Sequence, residues 1–121
     1  MARYVDGFVL PIPKKHTARY RSIAQKCGKI WLKHGALEYV ECIADDVKSG
    51  KHTSFPQSVK LKAGEVVWFS WIVYRSRKHR DQVNAKVMKD PRMLKIMKDP
   101  KSVVFDMRRM IYGGFKTKVD L

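Results

Sequence analysis

The run EVVWFSWIVY at residues 65–74 is the most β-prone segment of the chain. Its apolar side chains, interrupted only by Ser70, fit a strand in the middle of a sheet, covered on both faces. What flanks this strand then sets the fold. On its C-terminal side Ser76 is an N-cap for a helix running to about Met88, with Val83 and Val87 turned inward. Pro91 breaks that helix, and Met93, Leu94 and Met97 suit one further short helical turn before Pro100. Residues 109–119 alternate again as a last strand, with Ile111, Gly113 and Phe115 on one side and Met110, Tyr112 and Gly114 on the other.

On its N-terminal side lies a polar connection, residues 46–64, holding Gly50, Pro56 and Gly64 and a weak extended fragment around Val59 and Leu61. So long a connection in a small domain is either a functional flap or a contact element. Before it, residues 36–45 place Leu37, Tyr39, Glu41 and Ile43 opposite Glu38, Val40 and Cys42, a second alternating strand. Residues 14–34 put Tyr20, Ile23, Ala24, Cys27, Ile30 and Trp31 on one stripe of an amphipathic helix that Gly35 stops. Its other face is cationic throughout, with no acid in the segment. Residues 3–10 form the first strand, with Tyr4, Asp6, Phe8 and Leu10 on one side, and Pro11 and Pro13 are expected to end it.

The order is β-α-β-β-α-β. It predicts one ferredoxin-like α+β domain over residues 1–121, a four-stranded antiparallel sheet with both helices on one face. Phe8, Val40, Trp71 and Tyr112 are then expected on the uncovered face. A patch that apolar implies a partner, so two sheets are expected to pack face to face in a homodimer.

The 121 residues carry 26 Lys plus Arg against 11 Asp plus Glu, a net charge of +15. A hydrophobic content of 45% is enough for a core without disulfides or metal, which removes the disordered and disulfide-stapled classes. Seventeen of the cations lie in segments 14–34 and 75–101, opposite the apolar stripes. Without interleaved aromatics they read as solvated helix faces, or at most as nonspecific attraction for nucleic acid. Cys27 and Cys42 have no partner at metal-ligand spacing, and His16, His52 and His79 suggest no cage, so neither metal nor cofactor is expected. Asp6 interrupts the N-terminal apolar residues, which is not the layout of a secretory signal, and a cytoplasmic protein without membrane contact is expected.

Asp6, mid-strand and assigned with Glu38 to the face expected to meet a partner sheet, is the first catalytic candidate, because a carboxylate away from water must be paired, bonded or protonated. Arg108 or Arg109 is its expected partner, and a structural ion pair is the competing reading. His34 closes the first helix, either as a general base or as a helix-capping histidine. Glu41 and Tyr39 form a pair on the helix-facing side. Tyr39, Trp71, Tyr112 and Arg109 are the candidate ligand-binding residues, with plain packing the alternative for the aromatics. Gly113 and Gly114 sit inside a strand, where a bulge or close backbone approach explains them better than a phosphate loop. No nucleophile stands beside an identifiable base, so the sequence names no reaction.

The runs YVDGFVLP (4–11), HGALEYVEC (34–42), FSWIVY (69–74) with SRKHRD (76–81), and RMIYGGF (109–115) resemble the bacterial family called domain of unknown function 1428. The resemblance spans nearly the whole chain. It implies membership of the dimeric α+β barrel superfamily, in which two ferredoxin-like protomers close a barrel between their sheets. Relatives there include cofactor-independent monooxygenases, haem-degrading and haem-peroxidase enzymes, and small-ligand sensors, and no catalytic residues carry over. The expectation is a homodimer that binds or transforms a small molecule between sheet and first helix or inside the barrel. A basic nucleic-acid-associated protein and a ligand-free structural dimer are the alternatives.

Overall fold

The computed structural model describes residues 2–121. Four strands, β1 (Tyr4–Pro13), β2 (Glu38–Ile43), β3 (Glu65–Tyr74) and β4 (Ile111–Lys116), form one sheet in the order β2-β3-β1-β4, every pair antiparallel. Helices α1 (Thr17–Lys33), α2 (Phe55–Ser58), α3 (Arg77–Lys89) and α4 (Pro91–Lys98) complete the chain. Ile30 of α1, Val83 and Val87 of α3 and Met93 of α4 pack with Tyr4, Ile72 and Tyr74 of the sheet, so the three longer helices share one face. This is the ferredoxin-like α+β arrangement.

β1 does not end at Pro11. It pairs with β3 through Pro13, while β4 pairs with it only as far as Val9. Amides alternate in direction along a strand, and Lys14 N donates to Gly64 O at 2.8 Å on the β3 side. Pro11 and Pro13 therefore turn their nitrogens to the edge that β4 has already left, where no ladder bond is lost. β4 is shorter than its alternating pattern, because Asp106 accepts from Arg108 N at 3.1 Å and caps a 3-10 turn at Met107–Arg109.

Leu10 and Ile12 pack with Tyr20, Ala24 and Trp68 under α1. Since side chains alternate, Asp6 and Phe8 share the helix side of β1. Phe8 stacks on Tyr112 with ring centroids 5.1 Å apart, which puts Tyr112 there too. Both were expected on the uncovered face. Tyr4, Phe8, Leu10 and Ile12 outweigh Val5, Gly7 and Val9 in apolar bulk, and the bulkier set takes the core. The uncovered face keeps Val40 and Trp71 as expected, and adds Phe69, Ile111 and Phe115, which are 42%, 42% and 65% exposed.

The 46–64 connection is a contact element. Ser54 caps α2, and Phe55 meets Phe69 edge-on at 5.9 Å, shielding one end of the open face. Arg109 clamps its far end, donating to Lys60 O at 3.0 Å and to Glu65 Oε1 at 2.7 Å. Val59 beneath is 1% exposed.

Candidate functional site

The sequence-level candidates scatter when folded. Asp6 is 2% exposed and sits on the helix side of the sheet, not in the barrel interior. Its partner is Arg80 at the start of α3 (Nη1–Oδ1 2.7 Å). Burial pushes the Asp6 carboxyl above its ordinary value, and Arg80 pulls against that. Arg80 also donates to the Tyr112 hydroxyl at 3.1 Å and lies over the Tyr4 ring. Neither Arg108 nor Arg109 reaches Asp6: Arg108 pairs with Asp106, and Arg109 with Glu65 and Asp106. Position 80 carried a signal, for it continues the inward Val83 and Val87 at helical spacing.

Glu38 does stand on the open face, where it accepts from Trp71 Nε1 at 2.9 Å, so the sheet itself separates it from Asp6. His34 is the C-cap of α1, with Nε2 2.7 Å from Asp90 Oδ2. Asp90 is held far below the usual carboxylate range, by Arg92 first and His34 second, which is the setting of a cap tied to α4.

What the fold does bring together is Glu41, Tyr20 and Tyr39. β2 alternation turns Tyr39 and Glu41 toward α1, and helical spacing turns Tyr20 toward β2. The Tyr20 hydroxyl donates to Glu41 at 2.9 Å from Oε1, and the Tyr39 hydroxyl at 3.1 Å from Oε2. Among the described residues no Lys, Arg or His nitrogen pairs with this carboxylate. Burial raises its pKa, and the hydrogen bonds from Tyr20 and Tyr39 oppose that rise. The same burial, with Glu41 nearby, pushes the Cys27 thiol up to about 11, so it stays protonated at neutral pH.

Two concavities meet at this cluster. The inner one, of about 230 Å³, is lined by residues including Phe8, Tyr20, Cys27, Trp31, Tyr39 and Glu41. The outer one, of about 500 Å³, runs between α1 and the edge strand β2, with Ala24, Gly28, Leu32, Tyr39, Ile43 and Trp68 among its walls. Small residues on α1 make the room: a Cβ at Gly28 would stand 2.6 Å from the Tyr39 ring. Of the expected ligand-binding residues, Tyr39 lines both spaces and Trp71 the inner one, although its indole bonds Glu38 on the far face. Tyr112 and Arg109 line neither. A glutamate on the inward side of a strand, opposite an apolar helical stripe holding a tyrosine, was the legible sign of this cluster.

Together these features define a ferredoxin-like α+β protein with a ligand-sized cleft between its first helix and its sheet. The chain belongs to the family described as Protein of unknown function (DUF1428), whose model matches residues 3–107. It is 46% identical over 118 residues, 98% of either chain, to the uncharacterized protein YbaA of Escherichia coli K12, and equally to that of Shigella flexneri. A crystal structure of a NIPSNAP family protein with unknown function from Agrobacterium tumefaciens is similar in fold, with a TM-score of 0.56 at 15% identity over 95% of this chain and 87% of that one.

Proposed function

We propose that this protein binds a small, largely apolar molecule in the cleft between α1 and β2, with Glu41 as the polar group at its centre, and that it does so as a homodimer joined through the open sheet faces. The observation that carries the reading is the half-buried Glu41 carboxyl, bonded by two phenols, unpaired by any cation among the described residues, and bordering a space of about 500 Å³. Sites for small molecules are typically concavities of about 300–1,000 Å³, mostly apolar, with a few converging polar groups. Glu41 also has the placement of an acid–base group, since burial keeps its proton affinity high beside an apolar wall. Asp6, Glu38 and His34 have partners of their own and no shared cavity, so the chemistry assigned to them passes to Glu41.

The test is a fluorescence titration with N-phenyl-1-naphthylamine, an uncharged aryl amine that brightens in apolar sites. Gln25→Phe plants a ring at the exposed mouth of the cleft, and Phe115→Glu alters the open face instead. Saturable binding, weakened at least 10-fold by the first variant and unchanged by the second, is expected. Binding indifferent to Gln25→Phe overturns the reading.

A further inference from the structure

The outer cleft has two unlike walls. Thr17, Arg21, Gln25 and Lys29 line it at four-residue spacing, one polar ridge of α1, beside the ridge Ala24, Gly28 and Leu32. The first ridge brings two exposed cations to the mouth, about 12 Å apart along the helix at 1.5 Å per residue. Neither is ion-paired among the described residues, and residues 14–34 hold no acid that could neutralise them. The second ridge and the floor of Tyr39, Ile43 and Trp68 are apolar or aromatic.

A second observation points the same way. Trp68 is 5% exposed, and its Nε1 is the one buried side-chain nitrogen or oxygen without a hydrogen-bond partner among the described residues. A buried donor left unpaired costs free energy, and Trp68 is one of the residues that line this cleft. Two unpaired cations at the mouth of an otherwise apolar cleft favour a ligand that carries an anionic group.

Resting on the reading of this cleft as a ligand site, the geometry points to its ligand class: an amphipathic organic acid, whose apolar body fills the cleft against Trp68, Tyr39 and Leu32 while its anionic group meets Arg21 and Lys29 at the mouth. Glu41 does not oppose that charge strongly. It lies on the floor, bonded by Tyr20 and Tyr39, whereas Arg21 and Lys29 stand at the mouth where the anionic group sits. The cations act chiefly on the head group, because an exposed guanidinium or ammonium gives direction and encounter rate more than large net affinity.

Two dyes separate the ligand class from the cleft itself. 1-Anilinonaphthalene-8-sulfonate carries the same anilinonaphthalene body as N-phenyl-1-naphthylamine plus a sulfonate. Titrations at about 0.15 M salt suppress attraction by the distant surface, since the screening length is then about 8 Å. The sulfonate dye is expected to bind about 3- to 10-fold tighter than the neutral one. Arg21→Gln with Lys29→Gln is expected to erase that advantage, so that the two dyes bind with equal affinity. Lys78→Gln with Lys89→Gln, exposed positions on α3 that remove the same net charge, is expected to preserve it. Equal affinity of the two dyes for the native protein overturns the organic-acid assignment while the cleft stands. An equal loss from the Lys78 and Lys89 pair does the same, for the effect is then the general charge of +15. Neutral-dye binding that ignores Gln25→Phe removes the cleft reading and this inference with it.

Discussion

Glu41 and Asp6 are both carboxyls on the helix side of the sheet, and their neighbours give them opposite tasks. Asp6 has Arg80 at 2.7 Å and Tyr74 beside it, so its charge is matched and its role is to tie β1 to α3. Glu41 has phenols and no cation, so its ionised form carries a desolvation cost in the folded chain that it escapes on unfolding. Its folded pKa lies above the ordinary 4.5, which means the cost is present at neutral pH and disappears as pH falls through that folded value. Glu41→Gln is therefore expected to raise the urea midpoint at pH 7 and to give no gain at pH 4. A midpoint lowered equally at both pH values would show Glu41 to be a structural strut. At this scale the sequence reading set Tyr39 and Glu41 together as a helix-facing pair and left His34 between a general base and a helix cap. It misplaced Asp6, because alternation alone says which residues share a face and not which face meets the helices.

Among the elements, α1 does most to shape the site. Its apolar stripe was legible from spacing, and Gly35 does stop it, in the left-handed region at φ +113°. The role of Gly28 was not legible, because it depends on where β2 sets Tyr39. Gly28→Ala is expected to collide with the Tyr39 ring and, by overpacking, to destabilise the fold by about 1–3 kcal/mol. The displaced Tyr39 hydroxyl would also leave Glu41, so dye binding should weaken in parallel with the loss of thermal midpoint. A variant with unchanged midpoint and affinity would mean the ring yields freely. Gly114 is the same kind of position on β4, where a Cβ would run into the Tyr4 hydroxyl. The close approach read from the Gly113–Gly114 pair is there, on the helix side at Gly114. Prolines misled the reading of β1 because the tolerance of Pro11 and Pro13 is set by where β4 stops, a fact of pairing that no local pattern contains.

For the whole molecule, the open sheet face is the feature on which the proposed homodimer rests. Val5, Val9, Val40, Phe69, Trp71, Ile111 and Phe115 make it more apolar than a lone soluble domain usually exposes, and Phe55 shields one end of it. Light scattering is expected to give a dimer at micromolar concentration, and Phe115→Glu, at an exposed rim position, a monomer that keeps its circular dichroism. A native monomer would remove the homodimer. The charge of +15 belongs to this scale too, and most of it lies along helix faces pointing away from the sheet. Arg21 and Lys29 are the cations that overlook the cleft between α1 and β2. Among the described residues no helix is long and apolar enough to cross a membrane.

Whether the cleft between α1 and β2 is the ligand site can be read directly by heteronuclear NMR, from the amide shifts caused by adding N-phenyl-1-naphthylamine to the native protein. Perturbations concentrated at Tyr20, Ala24, Gly28, Leu32, Tyr39 and Glu41, saturating together, are the predicted result. Perturbations centred on Phe69, Trp71, Ile111 and Phe115 would place the binding on the open sheet and contradict it.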